Sequence, residues 1–452
     1  MMIADICRNN NLLQYLLFFA ILIFTLEHLA SVAEVKLNVV CDAAGYLGNS
    51  KIPFFSIDYW FSMRPVGYPT FIKFMQSNPN LVAAMQSLLH IASWSFFSFY
   101  LYIKSRNKLF GFLSGLTVLF IAMQPDIALW THHVLTESLT FSFIAWILIL
   151  IYEFLISEKK RYFYILLFIL VSYSTIRDVN AFYVVTFIVA FAMFYFYKYI
   201  NKIIFIVSSI LLISTLFFST YTANHAGNSI MNKRWMFPYF NLFGHRFLTN
   251  PELLQSMKIE GMPINEALLR KKNVWASGKD TVGQGWYDDP EFKEFRDWVV
   301  KSGKSKYTKF LITHPSYTFG EIYLNRHTIF HYTKAINNAY YLKGYKIDNI
   351  FTYTKMENIT FYIYLSLLIA IIILLSFILR KNIFNKYTMP MLTLLLPIGL
   401  LAIITFHGDA MEVYRHTLIV PILLKTTLFM IAYIFANELF TKKPVKCDKY
   451  AK

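Results

Sequence analysis

Residues 203–220, IIFIVSSILLISTLFFST, contain only apolar and hydroxyl side chains. A helix that crosses a membrane needs about 20 mainly apolar residues, because each residue adds about 1.5 Å across a hydrocarbon core about 30 Å thick. A run of this length without a charge is typical of a transmembrane helix, since a helix satisfies its backbone hydrogen bonds internally even in lipid.

Further runs of similar character occur along the chain. They are residues 12–29, 81–103, 109–123, 127–151, 162–176, 181–197, 359–379, 389–406 and 417–436. Only 15% of the 452 residues are charged and 56% are hydrophobic, whereas about 25% of a typical soluble domain is charged. We therefore predict an all-α polytopic membrane protein with about ten transmembrane helices.

The short connections between these runs alternate in charge. Every second connection is basic, beginning with Lys104, Arg106 and Lys108 and continuing with Lys159, Lys160 and Arg161. Basic loops stay on the cytoplasmic side of a membrane, so the pattern predicts that both termini are cytoplasmic. The net charge of +17 belongs to these clusters and therefore does not indicate a nucleic-acid partner.

The first run has a second interpretation. Residues 12–26 follow Arg8 and precede the small residues 31–33, as in a signal peptide with its cleavage site. Cleavage there would leave the sidedness of the other runs unchanged. The cysteines are Cys7, Cys41 and Cys447, and the topology places only Cys41 outside, so no outer disulfide within the chain is expected.

The topology divides the chain into three parts. Residues 1–220 form a transmembrane module with a first outer loop, residues 221–357 form an outer domain, and residues 358–452 form C-terminal spans with a basic tail. Residues 34–80, which contain Trp60 and three tyrosines, are predicted to form short amphipathic helices on the membrane surface. Helices are also expected near residues 291–300 and 307–313.

The ionisable residues that could take part in catalysis or binding lie on the predicted outer side. Asp42 is followed four residues later by Tyr46, and an Arg64-Pro65-Val66-Gly67-Tyr68-Pro69 segment leads into the second span. Further along are Leu135, Thr136 and Glu137, and then Glu412, Arg415 and Pro421. In order and sidedness, these motifs resemble those of the GT-C superfamily of membrane glycosyltransferases. Ala43 departs from the pattern, because some of these families have a second acidic residue there.

The resemblance implies a GT-C-like bundle with outer juxtamembrane helices. It also implies transfer of a sugar from a polyprenyl-phosphate donor to a glycan, lipid or protein acceptor at the outer face. In a bacterium, the protein would lie in the cytoplasmic (inner) membrane and act on surface polysaccharide. Nothing in the sequence identifies the sugar.

The chemistry of such a transfer suggests roles for individual residues. A carboxylate can accept the proton of the acceptor hydroxyl, and Arg binds phosphate oxygens in a planar, bidentate manner. Asp42 and Glu137 are the catalytic candidates. The substrate-binding candidates are Tyr46, Arg64, Tyr68, His132, His133, Arg177, Asp178, Arg415 and His416. The arginines and tyrosines have a simpler interpretation as anchors at the membrane interface.

Glu137 is expected about ten residues inside the fourth span, where a carboxylate is costly unless it faces a polar cavity. His133 and Glu137 would then share a helix face, and with Asp42 they could bind a divalent metal ion. The preferred hypothesis is a polar pocket with no metal or other cofactor. Lys425, in the middle of the last span, is expected to face a polar cavity or a partner such as His90.

Two other functions remain compatible with the sequence. A polysaccharide polymerase or ligase with a lipid-diphosphate donor would also need outer Arg and His residues. A secondary transporter fits less well, because such proteins tend to have repeated halves and charges at the membrane midplane.

Overall fold

Long helices occupy the apolar runs. A computed structural model describes residues 10–34, 37, 39, 41–62, 64–225, 235–274, 286, 289–330, 358–378, 387–410 and 413–440. The structure is 83% helix, and no strand occurs among these residues. The predicted all-helical class is therefore confirmed.

We label the long helices α1 to α10. Their bounds are α1 Asn10–Glu34, α2 Pro79–Lys104, α3 Lys108–Met123, α4 Glu137–Ser157, α5 Lys160–Ser174, α6 Asp178–Phe196, α7 Lys202–His225, α8 Asn358–Ile378, α9 Leu395–Gly408 and α10 Ile419–Leu439. Short helices, Thr388–Leu392 and Val413–Thr417, precede α9 and α10.

Within the described residues, seven helices are long and apolar enough to cross a membrane. These spans contain α1, α2, α4, α6, α7, α9 and α10. Helix α3 is apolar but shorter. The chain is therefore an integral membrane protein.

The fourth predicted span begins later than expected. The sequence predicted a continuous helix over residues 127–151, but residues 125–132 form two short helical turns and α4 begins at Glu137. His133 has an extended backbone, with φ −104° and ψ 133°. The prediction that His133 and Glu137 share a helix face, ten residues inside a span, was therefore wrong.

Helices α4 and α10 form the centre of the bundle. The apolar windows of these two spans are 83% and 89% buried, whereas those of α1 and α7 are 22% and 17% buried. Helix α4 packs against α2, α5 and α10, while α7 packs mainly on α6. Helices α1 and α7 therefore present most of their apolar surface outward, as lipid-facing helices do.

The two ends of the bundle carry different polar groups. At one end, the Glu153 carboxylate accepts a hydrogen bond of 2.6 Å from the Tyr100 hydroxyl and pairs with Lys104 at 2.7 Å. We call this the lysine end. The other end, where α4, α6 and α10 begin, is the site end. Alternating helix directions thus separate the basic connections from Glu137 and Arg415.

Short helices cover the site end. Those of the first loop are Cys41–Lys51, Ile57–Trp60 and Gly67–Phe74. Those between α7 and α8 are Met236–Leu242, Phe243–Phe247, Pro251–Ile259, Glu266–Leu269, Pro290–Phe292, Lys293–Trp298, Val299–Gly303, Lys304–Thr313, Pro315–Leu324 and Arg326–Phe330. The described residues between 235 and 330, here called the loop domain, have a hydrophobic cluster of their own, centred on Phe240, Phe243, Trp286 and Phe295.

Lys425 is fully buried in α10 and donates a hydrogen bond to the Gln124 side-chain oxygen at the end of α3. It does not face lipid, in agreement with the expected polar environment. A partner of this kind lowers the cost of a charge within a membrane helix.

Gly67 is where the first loop docks onto the bundle. Its backbone N–H donates to the Thr175 carbonyl oxygen at 2.9 Å. A Cβ atom at this position would lie 2.3 Å from Thr175 Oγ1 and 2.8 Å from its carbonyl oxygen. Only glycine permits this approach, which holds Arg64 close to the end of α5.

We predict that Gly67→Ala lowers the free energy of unfolding by about 1–3 kcal/mol, because the new methyl group overlaps backbone atoms that cannot move independently. Thermal unfolding in detergent measures the change. Gly48→Ala is the matched control, because a Cβ atom there meets nothing within 4 Å. Equal stability of the two variants would contradict the docking role of Gly67.

Candidate active site

One face of the first-loop helix Cys41–Lys51 holds the side chain of Arg64. The Arg64 Nη2 atom donates to Asp42 Oδ1 at 2.6 Å, and the guanidinium carbon lies 4.9 Å from the centre of the Tyr46 ring. Gly45 lies between these residues, and a Cβ atom there would be 3.2 Å from Arg64 Nε. Asp42, Gly45 and Tyr46 are spaced three and four residues apart, so they share this face.

Arg415 joins the first loop to the bundle. Its Nη1 atom lies 2.8 Å from Asp42 Oδ2, and its Nε atom donates to Glu137 Oε1 at 3.0 Å. A planar guanidinium can bind two carboxylates in this way because its donors point outward in a fixed fork. Residues far apart in sequence are thus connected through one side chain.

The network continues from Glu137 to the end of α9. Arg177 Nη1 lies 3.3 Å from Glu137 Oε1, and Arg177 Nη2 donates to His416 Nδ1 at 3.1 Å. Because Arg can only donate, His416 Nδ1 must be the accepting nitrogen. The other nitrogen, Nε2, lies 3.7 Å from Asp409 Oδ2. Neutral His416 therefore carries its proton towards Asp409.

Exposure decreases from one side of this network to the other. The side chains of Asp42 and Arg64 are 28% and 31% exposed, whereas those of Arg415 and Glu137 are 5% and 1% exposed. The site thus has an accessible rim and a buried floor. Three guanidiniums surround the Asp42 and Glu137 carboxylates, so these five groups together carry one excess positive charge.

Asp42 is held in its charged form. Burial acts to raise the pKa of Asp42, but the charges and hydrogen bonds of Arg415 and Arg64 outweigh burial and hold that pKa well below its usual range. The carboxylate is therefore ionised at every physiological pH. Without the charges of these two arginines, the pKa of Asp42 would rise.

Tyr68 positions the loop that precedes α4. It is fully buried, with its ring 5.0 Å from that of Tyr46, and its hydroxyl donates to Gln86 Oε1 at 2.5 Å. The Gln86 amide nitrogen in turn donates to the carbonyl oxygens of His133 at 2.8 Å and Thr131 at 3.2 Å. These bonds fix the backbone of residues 131–133, which lies outside α4, because that helix begins only at Glu137.

The two adjacent histidines have different surroundings. His133 is fully buried beside the network, and burial, followed by its neighbour His132, lowers the pKa of His133 to about 4. The His132 ring lies 6.3 Å from the ring of His28, which stacks at 4.7 Å on that of His90. Burial lowers the pKa of His132 to about 4. Both imidazoles are therefore neutral at pH 7.

The network brings together many of the residues singled out from the sequence. The contacts above join six of them, which are Asp42, Arg64, Glu137, Arg177, Arg415 and His416. The Tyr46 ring lies against Arg64. Asp178, next to Arg177, accepts a hydrogen bond from Ser219 at 3.2 Å, on the side of α7. Tyr68 and His133 lie behind the network, and Glu412 lies outside the described residues. Within the described parts of the chain, no three His, Cys, Asp or Glu residues form a group that could hold a metal ion.

Some supporting residues were not identified from the sequence. For Gln86, the sequence offers only a weak indication of a role, which is the presence of an amide side chain within an apolar helix. Asn241 Nδ2 donates to Asp409 Oδ1 at 3.3 Å, and Arg246 Nη2 donates to the Asp409 carbonyl oxygen at 3.2 Å. Their role depends on how the loop domain folds over α9, which local sequence does not reveal.

The loop domain also holds the end of α9 by other contacts. The Arg246 guanidinium lies 4.3 Å from the centre of the Phe406 ring. The Tyr307 hydroxyl donates to the His407 carbonyl oxygen at 3.3 Å, and His407 Nε2 lies 3.0 Å from the Thr318 carbonyl oxygen. The loop domain therefore holds the end of α9 and Asp409 in place.

Fold and site together define an all-helical membrane protein with an arginine-carboxylate network at one end of its bundle. No protein-family model, curated protein or solved structure matches the chain. The functional argument therefore rests on the network itself.

We predict that Arg415→Ala lowers the free energy of unfolding by about 3 kcal/mol or more, because it removes one of the charges that compensate the buried Glu137 carboxylate. Arg415→Lys should cost less, since it retains the charge without the bidentate geometry. Chemical denaturation in detergent measures both.

Arg161→Ala is the control for this prediction. Arg161 is exposed and donates to its neighbour Tyr162 at 2.8 Å, so its loss should change stability by less than about 0.5 kcal/mol. If Arg415→Ala were as mild as this control, the bridge would not be important for stability.

Proposed function

We propose that this protein is a GT-C-like glycosyltransferase that transfers a sugar from a polyprenyl-phosphate donor to a glycan, lipid or protein acceptor. The observation that carries the proposal is the pair of ion pairs at Asp42, a carboxylate held between Arg64 and Arg415 at the end of a membrane bundle. In this proposal, a base and a phosphate-binding site would lie next to each other at one end of the bundle.

The reaction would use these groups in the following way. The acceptor oxygen forms a bond to the anomeric carbon of the sugar while its proton passes to the Asp42 carboxylate. The bond between that carbon and the phosphate oxygen breaks, and the lipid phosphate leaves with the electron pair. Arg64 and Arg415 stabilise the charge that develops on this phosphate.

Donor binding would also activate the base. Phosphate oxygens compete with Asp42 for the guanidinium donors, because Arg binds phosphate and carboxylate with the same fork geometry. When Arg64 and Arg415 turn towards phosphate, the influence that depresses the pKa of Asp42 weakens. Asp42 would thus become a better proton acceptor only while a donor is present.

Glu137 is the second acidic candidate. At 1% exposure it is less accessible to an acceptor than Asp42, and it pairs with both Arg177 and Arg415. We assign it the role of positioning these two guanidiniums. A lipid-diphosphate polymerase or ligase would find cations in the same network, and activity with a diphosphate but not a monophosphate donor would favour that alternative.

We propose further that about ten helices cross the membrane and that the site end faces away from the cytoplasm. The seven apolar spans and the basic lysine end support this arrangement. In a bacterium, the membrane would be the inner membrane, because the proposed lipid-linked donors are assembled there.

Asp42→Asn should lower the transfer rate at least about a hundredfold, because an amide keeps the shape of the carboxylate but cannot accept the proton. The rate is measured in a transfer assay with the purified protein in lipid and a synthetic donor. Asp58→Asn changes an exposed carboxylate of the same loop and should leave the rate near normal. Near-native turnover by Asp42→Asn would exclude Asp42 as the base and move the assignment to Glu137.

Orientation can be tested separately with single cysteines in a variant lacking Cys7, Cys41 and Cys447. A membrane-impermeant maleimide added to intact cells should label Lys258→Cys, in the loop domain, and should label Lys160→Cys, at the lysine end, only after permeabilisation. Both lysines are exposed. The reverse pattern would place the site end in the cytoplasm and overturn the proposed donor side.

A further inference from the structure

A lateral cavity lies directly beside Arg64. It has a volume of about 240 Å³ and is bounded by the Arg64–Val66 segment, the end of α5 and the outer half of α7. Val66, Val171 and Phe218 contribute to its mainly apolar lining. None of the network residues other than Arg64 lines it, so the cavity extends away from the carboxylates.

The cavity follows the axis of α7 into the apolar part of the bundle. Its lining residues on this helix extend from Thr222 to Ser214, which corresponds to about 12 Å at 1.5 Å per residue. Ser214 is exposed and Phe218 is 39% exposed, so the cavity opens on the side of the bundle. This side belongs to α7, a helix whose apolar window is only 17% buried.

The hydroxyl groups along the cavity add little polarity. Ser214 donates to the Ile210 carbonyl oxygen at 2.8 Å, and Thr215 donates to that of Leu212 at 2.8 Å. Hydroxyls bonded to their own helix backbone leave carbon atoms to contact a ligand. The cavity is therefore suited to a hydrocarbon chain along its length, with a cation at one end.

We propose that this cavity, here called the α5–α7 groove, holds the first isoprene units of the lipid-phosphate donor and delivers its phosphate to Arg64. This inference rests on the proposed function. The occupant follows from charge and shape, because the groove is a narrow apolar channel in the lipid-facing wall and ends at a half-buried guanidinium. Ser219, which lines the groove and donates to Asp178, connects it to the segment that carries Arg177.

A tryptophan placed in the groove tests the proposal. Thr215→Trp should fill the groove and prevent the hydrocarbon chain of the ligand from being buried there. We expect the affinity for polyprenyl phosphate to fall by about tenfold, because the burial of only a few CH₂ groups accounts for that much. The probe is a synthetic polyprenyl phosphate without sugar, and native mass spectrometry measures its affinity. This readout does not depend on sugar transfer.

Ile213→Trp is the matched control. Ile213 is 52% exposed on the opposite face of α7, so the same bulky side chain would lie outside the groove. Its affinity should stay within about twofold of the natural protein, a change below 0.5 kcal/mol. Thermal unfolding of both variants shows whether each is folded.

Two further probes identify the source of the phosphate. Inorganic phosphate carries the headgroup chemistry alone, and phosphatidylglycerol in nanodiscs carries that of an ordinary bilayer lipid. Polyprenyl phosphate should bind more tightly than either. Equal binding of phosphatidylglycerol would make the groove a general lipid site and overturn the proposal.

A photoreactive polyprenyl phosphate gives a second measurement on the unaltered protein. We expect its chain to crosslink to peptides containing residues 171–175 and 214–222. Labelling confined to other helices, or unchanged affinity in Thr215→Trp, would overturn the groove while leaving the proposed function standing. Failure of the unaltered protein to bind polyprenyl phosphate at all would overturn both.

Discussion

The pairing of Glu137 with Arg415 is the interaction on which the rest of the site depends. A carboxylate at 1% exposure carries a desolvation cost of several kcal/mol unless cations and hydrogen bonds compensate for it. Arg415 and Arg177 provide that compensation, and each comes from a different part of the chain. Separating any of these segments would leave a buried charge, so the backbone segments that carry Arg177 and Arg415 are held together before any ligand binds.

The fold was largely predictable because the membrane imposes a simple rule on sequence. Helices occur at each of the apolar runs, and the described basic connections after α2 and α4 lie at the end of the bundle opposite Glu137. The start of α4 was not predictable from apolar content alone. Residues 127–136 continue the apolar pattern, but Gln86 binds the carbonyl oxygens of Thr131 and His133 and stabilises the break between the short helical turns and α4. A tertiary contact thus overrides the local preference.

The polar site was predictable in membership but not in its connections. Sidedness alone placed Asp42, Arg64 and Arg415 at one surface, because charged residues avoid the hydrocarbon interior. Which arginine binds which carboxylate depends on helix packing and on the docking of Gly67 against Thr175. The contribution of the loop domain, through Asn241 and Arg246 to Asp409, involves separations of more than 160 residues. Short-range sequence patterns contain no trace of such contacts.

The order in which the chain is made gives the Arg415 bridge another consequence. During synthesis, residues 42 and 137 enter the membrane long before residue 415, since chains emerge from their amino end. The network cannot be completed until α10 joins the bundle, where it packs against α4 and α8. A nascent or prematurely terminated chain would therefore lack the assembled site, even with the first seven helices in place. Completion of the network is in this way coupled to complete assembly of the chain, so an unfinished molecule would lack the proposed activity.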